Sequence, residues 1–114
     1  MLTIQALRDF GANTAVGVER CMGREDFYLR MVKLSLADHN FAKLRDAISA
    51  GDLSAGFEAA HAIKGVMANL SLDPILKPAS EACELLRART GTDYSGYLAE
   101  IEARLEQLRA LAAE

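Results

Sequence analysis

Three residues within little more than one helical turn could do chemistry together: His61, Lys64 and Gly65. A neutral imidazole nitrogen is a competent nucleophile and needs few helpers. Residues three apart on a helix are surface neighbours, so Lys64 stands beside His61. A cation there favours an anion carried on the ring. Gly65 is the odd member. Glycine inside a helix costs about 0.5–1 kcal/mol relative to alanine. On an outward face, that cost suggests that something approaches the backbone closely.

The element that must position these three runs from Asp52 to Leu70. Leu53, Gly56, Ala60, Ile63, Met67 and Leu70 recur at spacings of three and four, with Ala59 and Val66 at their flank. This is the pattern of a buried helical stripe. At about 100° per residue, His61 points nearly opposite Leu70 and Ile63. It shares the outer face with Ser54, Phe57, Glu58, Lys64, Gly65 and Ala68. Phe57, Glu58 and Ala68 are therefore the candidate partner-binding residues, with Phe57, Gly65 and Ala68 forming an exposed apolar surface.

The run His61-Ala62-Ile63-Lys64-Gly65, followed by Ala68-Asn69-Leu70, resembles the His-x-x-Lys-Gly core of histidine-containing phosphotransfer (HPt) domains. The chain also has the size of one such domain, with amphipathic helices before and after the motif. Ser71 departs from the pattern, because many members carry glycine there, and it should affect the helix end rather than the chemistry. The resemblance implies that His61 is transiently phosphorylated on a ring nitrogen. It implies partners of two kinds, response-regulator receiver domains and hybrid sensor histidine kinases. Mg²⁺ is expected on the receiver, and no cofactor on this chain. Lys64 would offset phosphoryl charge, and Gly65 would give the partner clearance. Family members often orient the imidazole with a polar side chain on the following helix, which makes Ser80, Cys83 and Glu84 candidates. Cys83 is the least suited, because thiols are weak hydrogen-bond partners.

Composition bounds the alternatives. A length of 114 residues suits a single domain, 1–114, with one core. Abundant Ala and Leu, no Trp and few aromatics favour helices packed by aliphatic side chains. A net charge of −3, with thirteen Lys and Arg scattered among acids, argues against nucleic acid. No run approaches the roughly 20 apolar residues of a membrane span. The N-terminus lacks signal-peptide character, so a cytoplasmic location is expected. Cys21 and Cys83 form no ligand cluster, and two histidines are too few for a structural zinc site.

The rest of the chain reads as helices in order. Thr3 caps a short first helix that stops at Gly11. Asn13 caps a second, carrying Val16, Val18, Cys21 and Met22 and ending near Gly23. Arg24 to Ala37 forms the third, with Phe27, Tyr28, Met31, Leu34 and Ser35 as its stripe. Asn40 is a candidate cap for the fourth, which buries Phe41, Leu44, Ala47 and Ile48 and ends at Gly51. Asp52 caps the His61 helix. Asp73 as cap with Pro74 first in the helix starts the next, which buries Ile75, Leu76, Ala79, Ala82, Cys83 and Leu86. Pro78 falls within about its first turn, and the helix ends around Thr90-Gly91. Asp93 caps the last, with Tyr94, Tyr97, Leu98, Ile101, Leu105 and Leu108 inward. No strand signal competes. The expectation is all-α: an antiparallel four-helix bundle with short additional N-terminal helices. Which of the helices from Arg24 onward make up the four is open at this level.

Function then divides three ways. The first reading is a phosphorelay intermediate that accepts phosphate on His61 and exchanges it with a receiver aspartate. It is a phosphocarrier without kinase activity, because no Gly-rich nucleotide loop is present. The second is a helical adaptor that binds a signalling partner and carries no phosphate. The third, a small enzyme with His61 as general base, lacks a second catalytic group. His39, in a turn between Asp38 and Asn40, has no motif around it.

Overall fold

Capping and turn residues divide the chain into seven helices. The computed structural model describes residues 1–114. The helices are α1 (Ile4–Phe10), α2 (Thr14–Arg20), α3 (Glu25–Ser35), α4 (Asn40–Ala50), α5 (Leu53–Asn69), α6 (Asp73–Arg87) and α7 (Ser95–Ala113). There is no strand. Thr3, Asn13 and Asp52 cap α1, α2 and α5 as expected, each side chain accepting from a backbone N–H three residues on. Gly11 and Gly51 end α1 and α4 in the left-handed conformation.

Several ends differ from the sequence reading. Helix α2 stops at Arg20 and α3 covers Glu25–Ser35, each shorter than expected. Asn40 and Asp73 are the first helical residues rather than the caps. Asp38 serves α4 instead, its Oδ1 accepting from the Asn40 backbone at 2.8 Å. Asp93 stands one residue before the α7 cap position and accepts from the Ser95 N–H at 2.9 Å. Helix α6 closes at Arg87 through Arg89, whose φ is +54°, so Thr90-Gly91 lies outside it. Pro78 is inside α6, past the first turn, and buried. The amide it lacks would have bonded back to Pro74.

Helices α4 to α7 form the four-membered bundle. Sequential neighbours pack together and α7 closes the ring against α4. Hydrophobic burial drives this. Phe41, Leu44 and Ala47 of α4 meet Ala59, Ala60, Ile63 and Met67 of α5 in one continuous core. Ile75, Ala79, Ala82, Cys83 and Leu86 of α6 and Ile101, Leu105 and Leu108 of α7 complete it. Gly56 lets α5 lie close to its neighbours, because a Cβ there would come within 3.2 Å of Leu86 and 3.8 Å of Ala47.

The three remaining helices close one end of the bundle, over the turn between α5 and α6. The Ser71 carbonyl accepts from the Asn13 N–H at 3.0 Å. The Leu70 carbonyl accepts from the Tyr28 hydroxyl at 2.8 Å, fully buried. The Ala68 carbonyl accepts from the Arg20 guanidinium. The Leu70 and Ser71 carbonyls need these donors, because the last carbonyls of a helix have no partner within it, whereas the Ala68 carbonyl also accepts from the Ser71 N–H at 3.1 Å. Ser71 sits at φ +54°, a left-handed conformation that costs a residue with a side chain more than it costs glycine. Gly17 makes room for the Tyr28 ring: a Cβ there would stand 2.4 Å from Tyr28 Cε1. The α2 and α3 stripes are narrower than their spacing implies. Met22 (76% exposed) and Leu34 (61% exposed) point outward, while Tyr28, Val32 and Ser35 are buried.

Burial pushes the Tyr28 phenol up to about 12, with Cys21 and Asp73 adding to the rise. Below pH 10 the phenol is neutral whether the chain is folded or not, and its contribution to stability is fully present. Between pH 10 and about 12 the unfolded chain ionises first, so stability falls as pH rises. Tyr28→Phe should cost about 1–3 kcal/mol at neutral pH, because it strips a buried carbonyl of its donor. The variant should also lose part of the stability decline above pH 10. Denaturant titrations at pH 7 and pH 11 check both.

Candidate functional site

Helix α5 is packed by α4 on one side and α6 on the other, so only one of its faces meets solvent. His61 and Gly65 lie on that face and are exposed, as is Glu58. Lys64 and Ala68 are half-buried beside them. The face expected from periodicity is thus the face observed. Phe57, like Ala68, departs from the free exposure expected of it. It is half-buried rather than freely exposed, and its ring stacks on His61, with centroids 5.5 Å apart and planes 22° from parallel. The Arg87 guanidinium lies 4.9 Å from the centre of the Phe57 ring, within range of a cation–π attraction.

The register of α5 against α6 can be read from paired side chains. Ser54 accepts from Arg89 at 3.0 Å, and Lys64 Nζ lies 3.4 Å from Glu84 Oε1. The two helices therefore run antiparallel, and Glu84 and Arg87 are level with His61. Glu84 Oε1 is also 3.6 Å from Arg87 Nε. One carboxylate thus faces two cations. All three side chains are a third or more exposed, so water screens these attractions.

Of the three α6 residues expected near the imidazole, none hydrogen-bonds it. Glu84 reaches this face but is taken up by Lys64. Ser80 is half-buried and lines a shallow pocket with Leu85 and Tyr97, on the α7 side. Cys83 is fully buried in the core. Burial pushes its thiol up, against the pull of Lys64 and Arg87, so it is an uncharged packing group at neutral pH. No group of three or more His, Cys, Asp or Glu is placed to hold a metal ion. No helix is long and apolar enough to cross a membrane.

Two features of this surface were not visible in the sequence reading. Arg87 carries no motif, and its place over Phe57 depends on how α6 packs. The second is a groove of about 770 Å³ that opens beside Gly65, lined among others by Met31, Leu34, His39, Val66 and Asn69. It exists only because α3 and the turn to α4 lie alongside the second half of α5. His39, unremarkable in sequence, is one of its walls. Leu34 gave no hint of the groove, because its spacing puts it on the inward stripe of α3, whereas the structure leaves it 61% exposed.

A family model described as Hpt domain matches residues 29–111. No curated protein matches the chain, and no solved structure does.

Gly65 has no packing reason inside the molecule. Beyond its chain neighbours and the backbone of its own helix, a Cβ built there meets no atom within 4 Å. Gly65→Ala should therefore raise stability by about 0.5–1 kcal/mol, the helix-propensity gain with no steric offset. Thermal and denaturant unfolding measure this. A loss of stability would mean that the glycine serves the fold.

Proposed function

This chain belongs to the Hpt-domain family, and on that premise we propose that His61 is the residue that takes up and gives away the phosphoryl group. Family membership carries a histidine-phosphotransfer role in two-component phosphorelays, where Hpt domains act as phosphocarriers rather than enzymes and meet receiver domains and kinases. The observation that supports His61 is its exposure on the single free face of α5, with Lys64 beside it and an unobstructed Gly65 one turn on.

The step asks little of this chain. The lone pair of a neutral ring nitrogen attacks the phosphorus of a receiver's aspartyl phosphate. An N–P bond forms as the P–O bond to the carboxyl breaks, and the aspartate leaves as a carboxylate. The proton on the other ring nitrogen stays where it is, so no general base is required. Catalysis of this kind rests on in-line placement and on cations that offset oxyanion charge. Lys64 is such a cation, with Glu84 as its resting partner. By this reading Mg²⁺ belongs to the receiver, and this chain needs no cofactor. A cytoplasmic location goes with the same proposal.

Gly65 lets the receiver's surface come close to the helix backbone, and the groove beside it offers Leu34 and Met31 to an apolar part of that partner. Phe57, Glu58 and Ala68 flank the histidine within the same docking face. The adaptor reading shares this surface but leaves His61 without a task.

Two variants test the proposal. His61→Gln should abolish uptake of label from a phosphorylated receiver while leaving the thermal midpoint unchanged, because the side chain is exposed. Label on the variant would dismiss His61. Gly65→Gln should keep the fold but cut transfer from the receiver strongly, with a small phosphodonor much less affected. Transfer at the wild-type rate would remove the glycine from docking.

A further inference from the structure

A phosphoryl acceptor on a helix surface must keep one ring nitrogen in line with its donor, yet an exposed imidazole has several rotamers. No hydrogen bond from the rest of the chain fixes the His61 ring. The side chain level with it on α6 and closest to the core is Cys83, which is buried and poorly suited to the task. What meets the ring is Phe57, stacked at 5.5 Å and 22°. Phe57 is itself held. It is half-buried, it shares a pocket with Leu53 and Leu86, and Arg87 lies 4.9 Å from its ring centre. Arg87 in turn is 3.6 Å from Glu84.

We propose that Phe57 is the positioning residue of His61: its ring face, steadied by Arg87, holds the imidazole in the orientation from which it accepts phosphate. The proposal rests on the phosphotransfer reading of His61. It goes beyond that reading by moving Phe57 from the docking surface into the site. Helix α6 then steers the imidazole at one remove, through Arg87 and Phe57, rather than by a polar side chain of its own. The spacing of four residues on α5 is what lets the two rings meet. The rings are stacked near parallel, and their centroid separation falls within the range of about 4.5–7 Å at which aromatic pairs attract.

Phe57→Leu removes the flat ring and keeps the apolar bulk; Phe57→Tyr keeps both. Proton NMR of the full chain reads the stack directly. The ring protons of His61 should be shifted upfield in the wild type and in Phe57→Tyr, and should return to ordinary positions in Phe57→Leu. The second readout is uptake of label from two donors, phosphoramidate and a phosphorylated receiver. A positioning residue acts on the nucleophile whatever the donor. Phe57→Leu should slow both on the order of tenfold, part of the roughly hundredfold that a misplacement of about an ångström can cost. Phe57→Tyr should recover most of the rate. Slowing with the receiver alone would make Phe57 a docking residue and overturn the proposal, as would unshifted ring protons in the wild type. Equal uptake by Phe57→Leu and wild type would overturn it while leaving phosphotransfer intact. A wild type that takes label from neither donor would instead overturn the phosphotransfer reading, and this one with it.

Discussion

The turn between α5 and α6 is the constraint on which the rest depends. A helical hairpin this tight leaves carbonyls at the end of α5 without helical partners. The Tyr28 hydroxyl and the Asn13 backbone amide supply two of the missing donors, and the Arg20 guanidinium adds a second donor to the Ala68 carbonyl, which already accepts from the Ser71 N–H. Buried polar groups left unpaired are expensive, so these bonds tie the first three helices to one end of the bundle. They also hold the turn at Ser71 in its left-handed conformation. From that fixed point the register of α6 against α5 follows, and the register decides which α6 residues come level with His61.

The consequence for the site is an economy of charge. Glu84 faces both Lys64 and Arg87, at 3.4 and 3.6 Å. In this exposed setting neither contact is worth much, so either cation can leave Glu84 at little cost. A buried pair would hold its geometry too firmly for that. Arg87 has a second role available, because its planar cation also lies over an aromatic face. Lysine, a compact point charge, would serve Glu84 but would cover Phe57 less well.

Gly65 and the groove beside it are features that the fold itself does not need. Gly17 and Gly56 both have neighbours that a methyl group would strike. Gly65 has none, so its cost in helix propensity has no return within the chain. Leu34 tells the same story from the apolar side. It is a large hydrophobic residue left 61% exposed at the rim of that groove. Under the proposed function, this helix-weakening glycine and exposed leucine lie on the face that would meet the receiver.

The sequence by itself determined the number and type of the helices, the inward stripes of α4 to α7 and the outward face of α5 with His61, Lys64 and Gly65. These follow from local rules: the 3.6-residue period, short polar caps and glycine stops. It placed several helix ends a residue or more away, because a cap such as Asp38 or Asp93 can act from a neighbouring position. Tertiary structure alone decided that α3 joins the N-terminal helices rather than the four-membered bundle. It also decided that Leu34 faces out and that Arg87 reaches Phe57. Each of these depends on which helix lies against which, and at what register. Periodicity reports only that a helix has an apolar side; packing between distant segments chooses the neighbour, and with it the side chains that surround the histidine.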